Sequence, residues 1–209
     1  MFSNQTRIPV RIALTGGIGS GKTTALAMFA ARGAAVLSSD QLVHQLLQRR
    51  DVRHEIAASL GLGHLPGGEA GRAQLADVVF ADEKQLARLE AVIFPLVRQK
   101  ISEWMKSPDV ARAPAAVVEI PMLFESGMED LFDSVVLVTA PAELRRARHA
   151  GRVSRADFER RAGRQMPEEE KRARSEIVFV NEGSPAELDE FVEQVMAEAA
   201  GGRSRTSGS

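Results

Sequence analysis

The sequence contains no cysteine, which excludes a disulfide framework, a Cys-ligated zinc or iron–sulfur site, and thiol catalysis. It also has no excess of basic residues, because 27 Lys and Arg stand against 28 Asp and Glu, for a formal net charge of −1. A chain with this charge balance has no general attraction to nucleic acid or to an anionic membrane surface. We therefore expect neither nucleic acid nor membrane among its partners.

Long apolar runs are missing as well. The longest ones, such as Ala115–Val118 and Val135–Val138, are far shorter than the ~20 residues that a membrane-spanning helix requires. Met1–Arg11 lacks the apolar segment typical of a secretory signal. The composition, with 44% apolar and 26% charged residues, is that of a globular protein with a buried core. We expect a cytoplasmic protein that is a monomer or a weak homo-oligomer.

Short apolar runs alternate with segments of helical periodicity. Five such runs predict the strands Val10–Leu14, Ala34–Leu37, Ala115–Ile120, Val135–Thr139 and Ile177–Val180. Alternating strands and helices favour an α/β fold, here a doubly wound parallel sheet of about five strands with helices on both faces. Between the second and third strands the pattern is helical from about Arg72 to Met105, and Pro95 is expected to break it.

A glycine-rich loop follows the first strand. Gly16–Thr23 matches the Walker A pattern G-x-x-x-x-G-K-[ST]. Its backbone N–H groups surround phosphate oxygens, its lysine bridges the β- and γ-phosphates, and its Thr23 hydroxyl ligates Mg²⁺. The loop predicts a P-loop NTPase core that binds a nucleotide with Mg²⁺. The candidate nucleotide-binding residues are Gly17, Ile18, Gly19, Ser20, Gly21, Lys22, Thr23 and Thr24.

The Walker A loop alone leaves three classes open: a switch GTPase, a motor-type ATPase and a small-molecule kinase. No Asn-Lys-x-Asp guanine motif is present in the sequence. Ala116–Glu119 ends in Glu and is followed by Ile120-Pro121, which is a poor match to a Walker B strand. The helical block and the Arg-dense stretch Ala142–Arg164 suit a kinase, which needs an acceptor-binding region and a mobile cover over the phosphates.

These segments give a provisional domain plan. The core is expected at 1–60 and 112–200 with an Arg-rich lid at about 142–165, the helical acceptor-binding insertion at 61–111, and a disordered tail at 201–209.

Several motifs in order resemble one family, the dephospho-CoA kinases. Leu14–Thr24 is similar to that family's phosphate loop, including its Leu-Thr-Gly-Gly-Ile start. Ile120–Glu125 resembles the Pro-Leu-Leu-x-Glu motif, and Leu144–Arg146 resembles the start of the lid. Further matches lie at Arg161–Gln165, Lys171 and Asn181–Gly183. The resemblance covers roughly residues 8–195 and implies ATP-dependent phosphorylation of the ribose 3′-hydroxyl of dephospho-CoA, the last step of coenzyme A synthesis.

The resemblance also implies roles for single residues. Asp40, at the carboxyl end of the second strand, is the candidate general base, although an N-cap of the helix expected from Gln41 is an alternative. With Lys22, Arg146 of the lid is expected to be catalytic. His44 and Glu125 are candidate acceptor contacts, Glu125 alternatively a member of the magnesium network, and Asn181 is expected near the adenine.

The sequence departs from the family pattern at four positions, where Ser38, His44, Phe94 and Ala150 replace the usual Asp, Arg, His and Arg. Arg148 or Arg152 could compensate for Ala150. Most departures concern the acceptor or the lid, so two alternatives stay open: another small-molecule or nucleoside monophosphate kinase, and a degenerate ATP-binding paralogue with a regulatory role.

Overall fold

The computed structural model describes residues 9–149, 158–159 and 162–201. These residues form two compact units. One comprises the described residues up to Leu37 and from Trp104 onward, and the other is Ser38–Glu103. Within the described part of the chain, no helix is long and apolar enough to cross a membrane.

A five-stranded parallel sheet organises the first unit. Its strands are β1 (Val10–Thr15), β2 (Ala35–Ser38), β3 (Ala115–Glu119), β4 (Ser134–Thr139) and β5 (Ile177–Val180), in the order β2-β3-β1-β4-β5. In the parallel registers, Leu14 lies opposite Glu119 in β3 and opposite Val136 in β4. β5 continues the sheet with Ile177 opposite Val136. All five predicted strands are present with bounds shifted by at most one residue.

Nine α-helices are described. They are α1 (Lys22–Ala31), α2 (Ser39–Gln48), α3 (Arg50–Leu60), α4 (Gly68–Ala81), α5 (Glu83–Met105), α6 (Pro108–Arg112), α7 (Ala142–His149), α8 (Glu168–Ala173) and α9 (Pro185–Gly201). A short 3₁₀ turn spans Glu129–Leu131. Gly33, at φ 83°, follows α1, as expected for the residue after a helix end. Ser184 caps α9 by accepting a hydrogen bond from the Glu187 N–H at 3.4 Å.

One face of the sheet carries a hydrophobic core of the first unit. Helices α1 and α9 pack there, and α9 supplies Leu188, Val192, Val195, Met196 and Ala199 at helical spacing. Phe29 of α1 is fully buried against the side chains of β1 and β3. The central strands β3 and β4 are almost entirely buried, which explains why they could be read from continuous apolar runs.

Two local expectations were wrong. Pro95 does not break the helix, because α5 runs through it as one element; Ile93, Val97 and Ile101 form a continuous buried stripe on both sides of the proline. Helix α9 extends to Gly201, the first residue of the tail that was expected to be disordered. Residues 202–209 lie outside the described residues.

The helical unit begins with α2, so it contains α2, α3, α4 and most of α5. The unit therefore starts at Ser38, whereas the helical insertion was expected to start at residue 61. An acceptor-binding role for this unit stays a prediction.

Candidate nucleotide-binding and phosphotransfer site

The phosphate loop leaves the carboxyl end of β1. Gly16, Gly19 and Gly21 adopt φ values of 145°, 77° and 106°, which residues with a Cβ adopt only with strain. The loop leads directly into α1, whose N-cap is Gly21. Successive backbone N–H groups and the positive end of the α1 dipole therefore meet at one edge of the sheet, as an anion site requires.

Lys22 lies at the first position of α1 and is buried. Its Nζ donates a hydrogen bond to the carbonyl oxygen of Gly17 at 2.8 Å. The side chain therefore folds back over the loop that it follows. This places the ammonium group at the loop, where a lysine can bridge two phosphates.

Thr23 contacts the end of a neighbouring strand. Its Oγ1 donates to Glu119 Oε1 at 3.2 Å, and Glu119 is the buried last residue of β3. In P-loop enzymes Mg²⁺ is held between the loop Ser or Thr and an acidic residue at such a strand end. From the sequence alone, Glu119 is a poor match to a Walker B residue. The signal that could have found it is the β1–β3 pairing, which puts Glu119 level with Leu14, two residues before the loop.

Asn181, directly after β5, braces the phosphate loop. Its Nδ2 donates to the Ser20 carbonyl oxygen at 2.8 Å. A Cβ at Gly21 would collide with this amide, so the glycine there serves close packing as well as backbone geometry. The Asn181 backbone N–H donates to the Thr139 carbonyl oxygen at 2.7 Å. Asn181 thus lies at the phosphate loop, and its contact with adenine stays a prediction.

Helix α7 carries three described arginines with different surroundings. Arg145 packs against the phosphate loop: a Cβ at Gly17 would collide with its Nη1, and a Cβ at Gly19 would lie 2.7 Å from its carbonyl oxygen. Arg148 Nη2 donates to the Asn181 carbonyl oxygen at 3.1 Å. Arg146, the predicted catalytic arginine, is 43% exposed and pairs with Glu143 at 2.8 Å. Its catalytic role stays a prediction.

The far end of the lid segment is anchored on the Ile120–Glu125 motif. Lys171 Nζ lies 3.0 Å from Glu125 Oε1, with side chains 3% and 15% exposed respectively. Lys171 also donates to the Pro121 carbonyl oxygen at 3.0 Å, and the Met166 N–H donates to Glu125 Oε1 at 2.6 Å. Glu125 is therefore engaged in a largely buried ion pair, and an acceptor or magnesium contact by it stays a prediction.

The acceptor-side candidates Asp40 and His44 lie in α2 of the helical unit. The helix begins at Ser39 with Ser38 at its N-cap position, so Asp40 is in the first turn and the N-cap alternative is wrong. Asp40 is exposed. One turn further on, His44 Nδ1 lies 3.2 Å from Arg72 Nη1. Since arginine only donates, Nδ1 is the acceptor. Arg72 was not singled out from the sequence.

Five further positions named from the family pattern or the arginine-rich segment, Ala150, Arg152, Arg155, Arg160 and Arg161, lie outside the described residues.

Comparison with known proteins decides the family. The family model described as Dephospho-CoA kinase matches residues 10–187. The chain belongs to the dephospho-CoA kinase family. A curated dephospho-CoA kinase from Thermus thermophilus is 37% identical over 203 residues, covering 96% of this chain and 97% of the relative.

Solved structures agree with this family and fold. A dephospho-CoA kinase structure from Campylobacter jejuni matches with a TM-score of 0.62 and 26% identity, covering 94% of this chain and 100% of that one. A shikimate kinase from Acinetobacter baumannii has a TM-score of 0.53 at 16% identity, covering 91% and 94% of the two chains; this supports the fold alone. The family resemblance and the α/β P-loop fold expected from the sequence are confirmed.

Proposed function

We propose that this chain transfers the γ-phosphoryl group of ATP to the ribose 3′-hydroxyl of dephospho-CoA, giving coenzyme A and ADP. The chain belongs to the dephospho-CoA kinase family. The observation that carries the proposal is the position of Lys22 on its phosphate loop, where Nζ donates to the Gly17 carbonyl oxygen at 2.8 Å. The cytoplasmic location and the monomeric or weakly oligomeric state expected from the sequence stay predictions.

In this reaction the 3′-oxygen forms a bond to the γ-phosphorus, and the bond from that phosphorus to the β,γ-bridging oxygen breaks. The proton of the hydroxyl passes to the Asp40 carboxylate, which is exposed at the start of α2. Lys22 neutralises charge on the β- and γ-oxygens. Arg146, carried by the lid helix α7, stabilises the phosphoryl group as its charge redistributes, and closure of the lid excludes water that would hydrolyse ATP.

Mg²⁺ suits the oxygen donors of the site. Thr23 Oγ1 and Glu119 Oε1 lie 3.2 Å apart at the loop, and hard oxygen ligands with substrate phosphates are what Mg²⁺ prefers. Among the described residues, no three His, Cys, Asp or Glu side chains cluster to hold a metal alone. We infer that Thr23 would hold the ion, with Glu119 beside it, while ATP supplies further oxygens. The bound ion would neutralise charge on the phosphates.

The phosphate loop and two of the residues that contact it lie at the ends of three strands, β1, β3 and β5. Gly17–Thr24 would surround the phosphates, and Asn181 is the candidate closest to the base by the family match. His44 and Glu125 are the remaining acceptor-side candidates, although Glu125 has the ion pair to Lys171 described above.

The test is a coupled assay of ADP release with and without dephospho-CoA, with the product identified by mass. We expect ADP release that depends on dephospho-CoA, and coenzyme A one phosphoryl group heavier than the acceptor. Nucleoside monophosphates and shikimate serve as competing acceptors on the same preparation. Faster transfer to one of these acceptors would contradict the proposal, and ATP binding without any transfer would favour the regulatory alternative.

A further inference from the structure

Arg145 is a residue to which the family resemblance assigns no role. Leu144, Arg145 and Arg146 together resemble the start of the lid, and of the two arginines only Arg146 was expected to be catalytic. Its main chain packs on the phosphate loop at Gly19, with 2.7 Å between its carbonyl oxygen and the place of a Cβ there. Its Nη1 lies 2.4 Å from the place of a Cβ at Gly17, so a side chain at position 17 would displace the guanidinium. Two of the loop glycines therefore lie directly against Arg145.

The Arg145 guanidinium is held in place by contacts with other residues of the chain. Its Nε donates to the Ala140 carbonyl oxygen at 2.9 Å. Its Nη2 lies 3.5 Å from Glu168 Oε2, and the side chain is only 18% exposed. Among the described residues, Nη1 has no hydrogen-bond acceptor, and this is the nitrogen that faces Gly17. Nε and Nη2 of the guanidinium are therefore fixed, while Nη1 faces the phosphate loop.

Two cations converge on Gly17. Lys22 Nζ donates to its carbonyl oxygen, and Arg145 Nη1 lies against its Cα on the side where a Cβ would project. The loop N–H groups and the α1 dipole add further positive potential. The carboxylate that pairs with Arg145, Glu168, is shared with Arg172 at 3.6 Å. The local charge thus favours an anion with more than one negative oxygen.

From this arrangement we propose that Arg145 is a second phosphate-binding cation of the ATP site, acting with Lys22 on the polyphosphate. The inference rests on the proposed function only in that ATP is the nucleotide bound. Because the guanidinium is already positioned, its contact forms in the ground state and persists in the transition state. Such uniform binding lowers the dissociation constant and the KM of ATP without raising kcat.

Arg145 thereby differs from Arg146 in its kinetic signature. Arg146 is exposed and pairs with Glu143 of its own helix, so the family expectation requires it to turn toward the substrate during catalysis. A group that engages only then affects kcat. Loss of Arg145 should weaken ATP about 10- to 100-fold, the range expected for removing a hydrogen bond between charged partners, whereas loss of Arg146 should leave ATP affinity nearly unchanged.

The experiment measures dissociation constants of ATP, ADP and AMP by calorimetry, with Mg²⁺ and without acceptor, for wild type, R145A, R145Q, R146A and R172A. Arg172→Ala removes an arginine that pairs with the same carboxylate. We expect R145A and R145Q to weaken the binding of ATP and ADP but to change the dissociation constant of AMP less than about threefold, because AMP lacks the β- and γ-phosphates that Arg145 is proposed to contact with Lys22. R146A and R172A should bind ATP as wild type does.

R145Q retains an amide that can donate a hydrogen bond to the Ala140 carbonyl oxygen. It therefore gives an interpretable affinity if R145A does not fold. Unchanged ATP affinity in either folded variant overturns the inference. Equal weakening of ATP and AMP also overturns it, because the contact would then be to the nucleoside or the α-phosphate, which both nucleotides share, rather than to the β- and γ-phosphates. A wild-type protein that binds ATP but does not phosphorylate dephospho-CoA overturns the proposed function alone, while the ATP and AMP comparison still decides the role of Arg145.

Discussion

The hydroxyl of Thr23, in the first turn of α1, donates a 3.2 Å hydrogen bond to the carboxylate of Glu119 at the end of β3. This contact joins the phosphate loop to the end of β3, and we propose Glu119 as the acidic partner at the magnesium site. The hydrogen bond offsets part of the cost of burying a carboxylate at the end of an otherwise apolar strand.

Glu119→Gln tests this role. Glutamine keeps the length of the side chain and can still accept from Thr23, but it lacks the charge. We expect the Mg²⁺ concentration for half-maximal activity to rise about 10- to 100-fold, as found for residues that orient metal ligands. The exposed Glu198→Gln on α9 is the matched control. A magnesium titration indistinguishable from that of the control would remove Glu119 from the metal site.

Lys22→Ala tests the phosphate loop itself. The substitution removes the ammonium group that lies on the Gly17 carbonyl, and with it the cation that bridges the phosphates. We expect transfer to be abolished while the protein stays folded by circular dichroism. Retention of more than about 10% of wild-type turnover would make the assignment wrong, since turnover depends on charge neutralisation at the transferred group.

The strands were predictable from sequence because central parallel strands are buried on both faces and read as continuous apolar runs, as β3 and β4 do. The phosphate loop was predictable because its glycines and lysine are required locally. Glu119 was missed because its contact depends on the register between β1 and β3. Pro95 was misread because tertiary burial of Ile93 and Val97 outweighs one lost backbone hydrogen bond.

The sequence alone could not distinguish the two lid arginines Arg145 and Arg146 either, because the difference between them also depends on tertiary structure. Arg145 and Arg146 are adjacent in the chain but differ by about 100° around the helix axis. One therefore faces the phosphate loop and the other pairs with Glu143. Only the position of α7 on the loop distinguishes them.

Arg146→Ala should lower kcat by about 10³-fold, the lower end of the effect of an arginine on a transferring phosphoryl group. The KM values for ATP and dephospho-CoA should change much less, because the proposed contact strengthens in the transition state. Steady-state kinetics in both substrates measure this, with the exposed Arg112→Ala as control. An unchanged kcat with a raised acceptor KM would place Arg146 in acceptor binding instead.

The ion pair between Lys171 and Glu125 should stabilise the anchor of the lid segment. Lys171→Met leaves a largely buried carboxylate without its cation, so we expect the melting temperature to fall by about 10 °C or more. The double variant E125L/K171M should recover much of this loss, since no unpaired charge remains. The exposed pair Lys100–Glu103 provides the control K100M, and equal melting temperatures for K171M and K100M would contradict the prediction.

Asp40→Asn separates catalysis from folding. Because Asp40 lies inside the first turn of α2 and does not cap it, the loss of its charge should cost at most about 1 kcal/mol through the helix dipole. Asparagine cannot accept the ribose proton at neutral pH, so transfer should fall by ~10²–10⁴-fold, while ATP affinity is retained.

Asp51 occupies the same helical position in α3, and Asp51→Asn therefore controls for the helix effect. Melting temperature, ATP affinity and dephospho-CoA-dependent ADP release are measured on one preparation of each variant. If both variants lose activity and stability together, Asp40 holds the helix rather than the proton; near-normal transfer by a well-folded Asp40→Asn protein removes the carboxylate from the mechanism altogether.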